Sequence, residues 1–139
     1  MEEKKMRNQS FFYKAGLALL LSLALVGCGN QQQEIAYQQI NAEEAATMMK
    51  EEKDFVIVDV RTEEEYNEAH IVDAICIPNE SIDEEAINRL PDKEQLIFVY
   101  CRSGNRSKQA AEKLVEQGYK NVVEFGGIKD WNGPTEGTN

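Results

Sequence analysis

"QLIFVYCRSGNRSKQAAEKL", residues 95–114, decides the fold class. After Gln95 the run is apolar or aromatic on both alternating sets, the pattern of a strand buried on both faces, and such strands belong to parallel sheets covered by helices. From Arg106 the period changes: Ala110, Ala111, Leu114 and Val115 share one face of a helix that Gly118 ends. Between the two lies Cys101-Arg102-Ser103-Gly104-Asn105-Arg106. A strand that enters a helix through a short glycine-containing turn is the unit of open α/β sheets, whose ligands collect beyond the carboxyl ends of the strands.

The alternation continues on either side. Asn41 with Glu44 has the spacing of a capping box, opening a helix with Ala45, Met48 and Met49 on its apolar edge that ends near Lys53. "FVIVDV", residues 55–60, is a second doubly buried strand, and Thr62 with Glu65 forms a second box. "AICIP" is a short apolar run closed by Pro78. Ser81 with Glu84 gives a third box, opening a helix with Ile82, Ala86, Ile87 and Leu90 inward that Pro91 stops. "NVVEF" is the last strand. Buried strands alternating with amphipathic helices give an open α/β domain with right-handed crossovers.

With 139 residues, 42% of them hydrophobic, the chain can bury one modest core. A net charge of −10 speaks against a nucleic-acid partner, which would be held by neutralising phosphates. The three cysteines, Cys28, Cys76 and Cys101, are too few for a disulfide scaffold. Lys4, Lys5, Arg7 and Lys14 accompany the run "AGLALLLSLALVG", which is short for a membrane span and has the length of a signal-peptide h-region. Leu25-Val26-Gly27-Cys28 then resembles the lipobox of bacterial lipoproteins, which implies cleavage before Cys28 and lipid on its thiol. The expected organisation is a signal peptide over 1–27, a polar lipid-anchored tether over 28–36, a folded domain over 37–133 and a tail over 134–139. The expected location is extracytoplasmic, in a bacterial cell envelope, with the lipid as the only membrane contact because the remaining acidic chain is repelled by anionic headgroups.

Gly104 permits the positive φ that curls the turn into a cup of inward N–H groups, and Arg102 and Arg106 add positive charge. A thiol at a helix start beside cations has its pKa lowered, so Cys101 reads as a nucleophile. Cys76, inside an apolar run, reads as a small buried hydrophobe. Glu63, Glu64 and Glu65, like Asp83, Glu84 and Glu85, fall in first helical turns, where they complement the helix dipole rather than hold a metal. His70, the one histidine, has no cysteine at zinc-ligand spacing and reads as a hydrogen-bonded structural residue. No metal or organic cofactor is expected.

"CRSGNRS" after "LIFVY", together with "VIVDVRTEEEYNEAHIVDAICIP" and "EFGGIKDW", resembles the rhodanese sulfurtransferases over about residues 37–131. The resemblance implies a mostly parallel five-stranded central sheet with helices on both faces, and a two-step sulfur transfer without cofactor. Cys101 attacks the outer sulfur of a small anionic donor such as thiosulfate, and a thiol or cyanide acceptor then removes the sulfur from the Cys101 persulfide. It further implies that Arg106 steadies the loop and its anion, and that Arg102, Ser103, Gly104 and Asn105 meet the donor. Asp59, Arg61 and His70 then brace the scaffold, and a monomer is the default. The family usually has glycine where Ala69 and Asp73 stand, which bears on the turn before the "AICIP" strand. A persulfide-carrying module of a sulfur relay, with little small-molecule turnover, is the alternative. Cysteine phosphatases of related fold carry one residue more between cysteine and arginine than Cys101 and Arg106 do, and a thiol–disulfide exchanger would need a Cys-x-x-Cys.

Overall fold

The structure, a computed structural model, describes residues 37–138. Residues 1–36, with the expected signal peptide, Cys28 and the tether, lie outside the described residues, as do the side chains of Glu84 and Ile87. In chain order the elements are β1 (Gln38–Gln39), α1 (Ala42–Glu51), β2 (Phe55–Asp59), α2 (Glu63–Glu68), β3 (His70–Ile71), β4 (Ile75–Cys76), α3 (Ile82–Arg89), β5 (Leu96–Cys101), α4 (Asn105–Glu116), β6 (Asn121–Gly127), a 3-10 turn (Ile128–Asp130) and β7 (Thr135–Glu136). Five strands form a parallel sheet in the order β1-β6-β5-β2-β4. β5 lies at its centre, paired with β2 from Phe55↔Leu96 to Asp59↔Tyr100 and with β6 on its other edge.

That central place explains why β5 is apolar on both sides. Val58, Val60, Ile97, Val99, Cys101 and Val122 face Ala86 and Leu90 of the α3 region and Ala110, Ala111 and Leu114 of α4. Ile57, Phe98, Tyr100, Val123 and Phe125 face Ala42 and Ala45 of α1, with Ile71. Each large aliphatic side chain buried this way contributes about 1.5–3 kcal/mol relative to exposure. Strand alternation therefore sends Tyr100 into one layer and its neighbour Cys101 into the other.

Two of the three expected capping boxes form. Asn41 and Glu44 exchange backbone-to-side-chain bonds of 2.9 Å, and Thr62 accepts from the Glu65 amide while Glu65 accepts from the Thr62 amide. The third does not. Ser81 makes no side-chain cap bond, because its backbone is already αR, with φ −101° and ψ −2°, in a turn closed by its own N–H donating to the Pro78 carbonyl. A capping side chain needs the extended backbone that Asn41 and Thr62 have.

The segment expected to be a tail departs from that expectation. Thr135–Glu136 pairs antiparallel with β3, His70 opposite Glu136 and Ile71 opposite Thr135. Gly137 packs so closely that a Cβ there would lie 2.3 Å from the Glu68 carbonyl oxygen. At the two family glycine positions the backbone differs: Ala69 is extended, at φ −163°, which any residue adopts, whereas Asp73 is left-handed, at φ 66°.

Candidate active site

β5 delivers Cys101 to the carboxyl edge of the sheet, and Gly104 turns the chain into α4 with φ 114°. A side chain at that φ is strained, so the glycine is what lets the Gly104 N–H point back at the sulfur, donating to Cys101 Sγ at 3.0 Å. The Ser107 hydroxyl lies 3.4 Å from the same sulfur. The first turn of α4 holds no acidic residue, so its N-terminal N–H groups face the thiol unopposed. Burial raises the pKa of the Cys101 thiol. Hydrogen bonds from the Ser107 hydroxyl and from the amides of Ser107, Gly104 and Ser103 outweigh that and bring it below its ordinary value.

The guanidinium groups contribute less than the sequence suggests. Arg106 is held by α2, its Nη1 donating to Glu65 Oε2 at 2.7 Å and its Nη2 to Glu65 Oε1 at 3.0 Å. It fixes the first turn of α4 to the first turn of α2 and so steadies the loop. Arg102, Ser103 and Asn105 are exposed on the rim, where they can meet an incoming anion. The sulfur itself is enclosed: Cys101 is 1% exposed, because the curl that aims the amides inward also closes over them. A group that reacts with this sulfur must therefore reach it end-on.

Asp59, Arg61 and His70 stand apart from Cys101, in the other layer. Asp59, fully buried at the end of β2, accepts from Arg61 Nη2 at 2.6 Å and from the Tyr100 hydroxyl at 2.6 Å. Arg61 also donates to the Ala69 carbonyl, and Tyr100 accepts from the Ile71 amide. His70 stacks on Tyr66, ring centroids 3.7 Å apart, with Nδ1 2.7 Å from the Tyr66 carbonyl and Nε2 3.3 Å from Glu136. The network ties Tyr100, the residue before Cys101, to β2 and to the turn after α2. Cys76 is half-buried beside Arg61, and burial first, then the charge of Asp59, pushes its thiol up to about 11. It is protonated at neutral pH and donates to the Arg61 carbonyl, 3.8 Å away.

Three residues of the loop's surroundings escaped the sequence. Ser107, fully buried, donates to Glu124 Oε1 at 2.6 Å, and Glu124, 2% exposed on β6, also accepts from the Gly126 amide at 2.8 Å. Gly127 lies against the loop backbone, where a Cβ would be 1.8 Å from the Arg102 carbonyl oxygen. The signal that could have found Glu124 is its charge inside the otherwise apolar "NVVEF".

The family pattern of the rhodanese-like domain matches residues 41–134. Thiosulfate sulfurtransferase GlpE of Coxiella burnetii is 38% identical over 106 residues, covering 74% of this chain and 96% of its own. Thiosulfate sulfurtransferase PspE of Escherichia coli K12 is 42% identical over 73 residues, covering 52% of this chain and 70% of its own. YrkF of Bacillus subtilis, named for sulfur carriage, is 41% identical over 81 residues, 58% of this chain and 43% of its own. Among solved structures, the rhodanese-like domain of Anabaena Alr3790 superimposes with a TM-score of 0.67 at 33% identity, over 72% of this chain and 79% of that one. A rhodanese with anions from Escherichia coli gives 0.57 at 38% identity, over 60% and 98%. Sulfurtransferases and sulfur carriers are thus its relatives, and the chain belongs to the rhodanese-like domain family.

Proposed function

We propose that the protein moves sulfane sulfur from a small anionic donor of the thiosulfate type to a thiol or cyanide acceptor through a persulfide on Cys101. The observation that carries this reading is the Gly104 N–H aimed at Cys101 Sγ from the start of α4, which favours an anionic sulfur at that point. The thiolate forms a bond to the donor's outer sulfur; the donor's S–S bond breaks and its electron pair leaves with sulfite. Cys101 then carries a terminal sulfur anion, and the cup of amides that held the thiolate is positioned to hold it. An acceptor thiolate or cyanide attacks that outer sulfur and returns the Cys101 thiolate. The thiosulfate sulfurtransferase relatives support the choice of donor. The test is thiocyanate formation from thiosulfate and cyanide. The parent turns over, Cys101→Ser loses at least ~1,000-fold, and retention of rate by the serine variant sinks the mechanism.

Similarity to YrkF favours one second reading, a sulfur carrier that loads once and unloads to a protein. Stoichiometric persulfide on Cys101 with negligible thiocyanate turnover would select it. We further propose that Cys28 carries lipid and holds the domain to an extracytoplasmic membrane face, supported by the sequence Leu25-Val26-Gly27-Cys28 after an apolar run. Palmitate labelling of the parent, absent from Cys28→Ala, is the expected result; an unlabelled parent ends the idea.

A further inference from the structure

Two grooves meet at the carboxyl edge of the sheet, and the donor half of the proposed sulfur transfer uses neither. The first, about 490 Å³, runs along the Cys101 loop at Ser103 and Gly104 and is bounded by Asn41, Lys108 and Gly126. The second, about 540 Å³, lies between α1 and the segment after β6, against Met49, Phe55, Ile71, Val72, Trp131 and Pro134. Ala42 and Asp130 line both, so the loop groove leads round the start of α1 into the apolar one. In the second groove Met49, Phe55, Val72 and Trp131 are only half-buried, an apolar surface that the domain leaves partly uncovered. Its α1 wall runs from Ala42 to Lys50, about 12 Å at the helical rise of roughly 1.5 Å per residue. An extended segment of about four residues spans that length.

The charge on these walls selects among occupants. Glu43, Glu44, Asp73 and Asp130 are exposed carboxylates on the two grooves, against the ammonium groups of Lys50 and Lys108. Acid therefore exceeds base here, on a chain whose net charge is −10. Asp130 has Lys129 Nζ 3.9 Å away, an exposed pair that offsets little, and Glu44 keeps its charge while accepting from the Asn41 amide. Glu124, at the buried side of the loop groove, is taken up by Ser107 and the Gly126 amide. A small dianionic donor is repelled by such walls and is drawn instead to the Gly104 amide and to Arg102 on the rim of the cup. An apolar floor between acidic walls fits an aliphatic side chain flanked by lysine or arginine. We propose that the two grooves together dock the sulfur acceptor, a basic polypeptide that lays an apolar side chain against Trp131 and Met49 and brings a thiol to the Cys101 loop.

The inference rests on the reading of Cys101 as the carrier of the transferred sulfur. The acceptor thiolate forms a bond to the outer sulfur of the Cys101 persulfide; the bond between that sulfur and Cys101 Sγ breaks, and its electron pair stays on Cys101 as the thiolate. The acceptor leaves as the persulfide. Choice of donor then belongs to the loop, through its amides and Arg102, and choice of acceptor to α1 and residues 130–134. The two half-reactions draw on opposite charges at adjoining sites, so an anion and a basic chain do not compete for one place.

Trp131 is the only tryptophan of the chain, so its emission reports the apolar groove in the full chain. The probes are two synthetic peptides, cysteine-lysine-serine-lysine-leucine and the same with glutamate for both lysines, each made in both orders. The lysine peptide is expected to shift Trp131 emission saturably and to bind about tenfold tighter than the glutamate peptide at low ionic strength. The gap closes near 1 M salt, where screening acts within about 3 Å. In Glu43→Gln/Asp130→Asn, both exposed positions, it falls to about twofold or less, and the salt dependence carries the same test without a variant. Serine in place of leucine abolishes saturation. After loading from thiosulfate, the lysine peptide at subsaturating concentration discharges the Cys101 persulfide about tenfold faster than the glutamate peptide. Equal affinity, equal discharge, a preference that survives both salt and the double variant, or an unmoved Trp131 emission overturns the proposal. So does pentylamine binding as tightly as the peptide, which would make the groove a small-molecule site, or emission that follows protein concentration alone, which would fill it with a second copy. Emission needs no sulfur transfer: a parent that selects the lysine peptide yet takes no sulfur from thiosulfate sinks the proposed function alone, and one that forms thiocyanate without selecting sinks the docking surface alone.

Discussion

Asp73, at φ 66°, is the one described non-glycine residue with a positive φ. For an L residue the left-handed region costs roughly 1–2 kcal/mol, and aspartate is among the side chains that tolerate it best. Here the strain is offset in part by the Asp73 amide donating to Glu136 Oε1 at 3.3 Å, an exposed bond that does not depend on the Asp73 side chain. Glycine at this position would keep that bond and relieve the strain, at the cost of a more flexible unfolded chain. Asp73→Gly is therefore expected to raise stability by about 0.5–1 kcal/mol, read as a higher urea midpoint with unchanged slope. Turnover should be unaffected, since the residue lies near β3, away from the cup. A lower midpoint would show that the aspartate side chain is holding the turn. Ala69 carries no such cost, because its extended backbone suits any residue.

α2 is short, six residues, and none of them is fully buried, so its position depends on its ends. Glu65 closes the capping box with Thr62 and at the same time grips Arg106 of α4 through both carboxylate oxygens. The hydrogen bonds from Arg106, first among the causes, outweigh burial and hold the Glu65 carboxyl well below the usual range, at about 2. A depressed folded-state pKa means that this contact stabilises above the unfolded value, about 4.5, and is lost as pH falls from there toward 2. The parent should lose about 1 kcal/mol more than Glu65→Gln over that window, since a partly exposed pair contributes on that order. Urea midpoints at stepped pH check it, and parallel curves would show that the pair contributes nothing. Such contacts also mark what the sequence could disclose. Asn41 with Glu44 and Thr62 with Glu65 act three residues apart, so their caps are legible, and Cys101, Gly104 and Arg106 share one loop. Glu65 with Arg106, and Ser107 with Glu124, meet only because α2 packs against α4 and β5 pairs with β6; nothing local encodes that. Two-residue strands such as β1, β3 and β7 are too short to show a period of two.

At the scale of the whole domain, one sheet divides the labour between its faces. The α3–α4 layer holds Cys101, and the α1 layer holds the Asp59–Arg61–Tyr100 network and, beyond it, the β3–β7 pair. The C-terminal segment belongs to the second. Glu136 reaches His70 and the Asp73 amide, Thr138 donates twice to the Asn67 carbonyl, at 2.8 and 2.9 Å, and the Trp131 indole donates to the Pro134 carbonyl. Most of these bonds are exposed and each is worth about 1 kcal/mol or less, so a chain ending at Gly133 should fold and lose about 1–3 kcal/mol. The cup should not feel the loss, because its donors come from residues 103–107 and its backing from β6. Well below its melting point, the truncated chain should therefore keep its rate of thiocyanate formation within about twofold while its urea midpoint falls. An unchanged midpoint would make residues 134–139 a tail after all. A rate that fell in step with stability, under conditions where the chain remains folded, would mean that the second layer positions the nucleophile through Tyr100 and that the two faces are not separable.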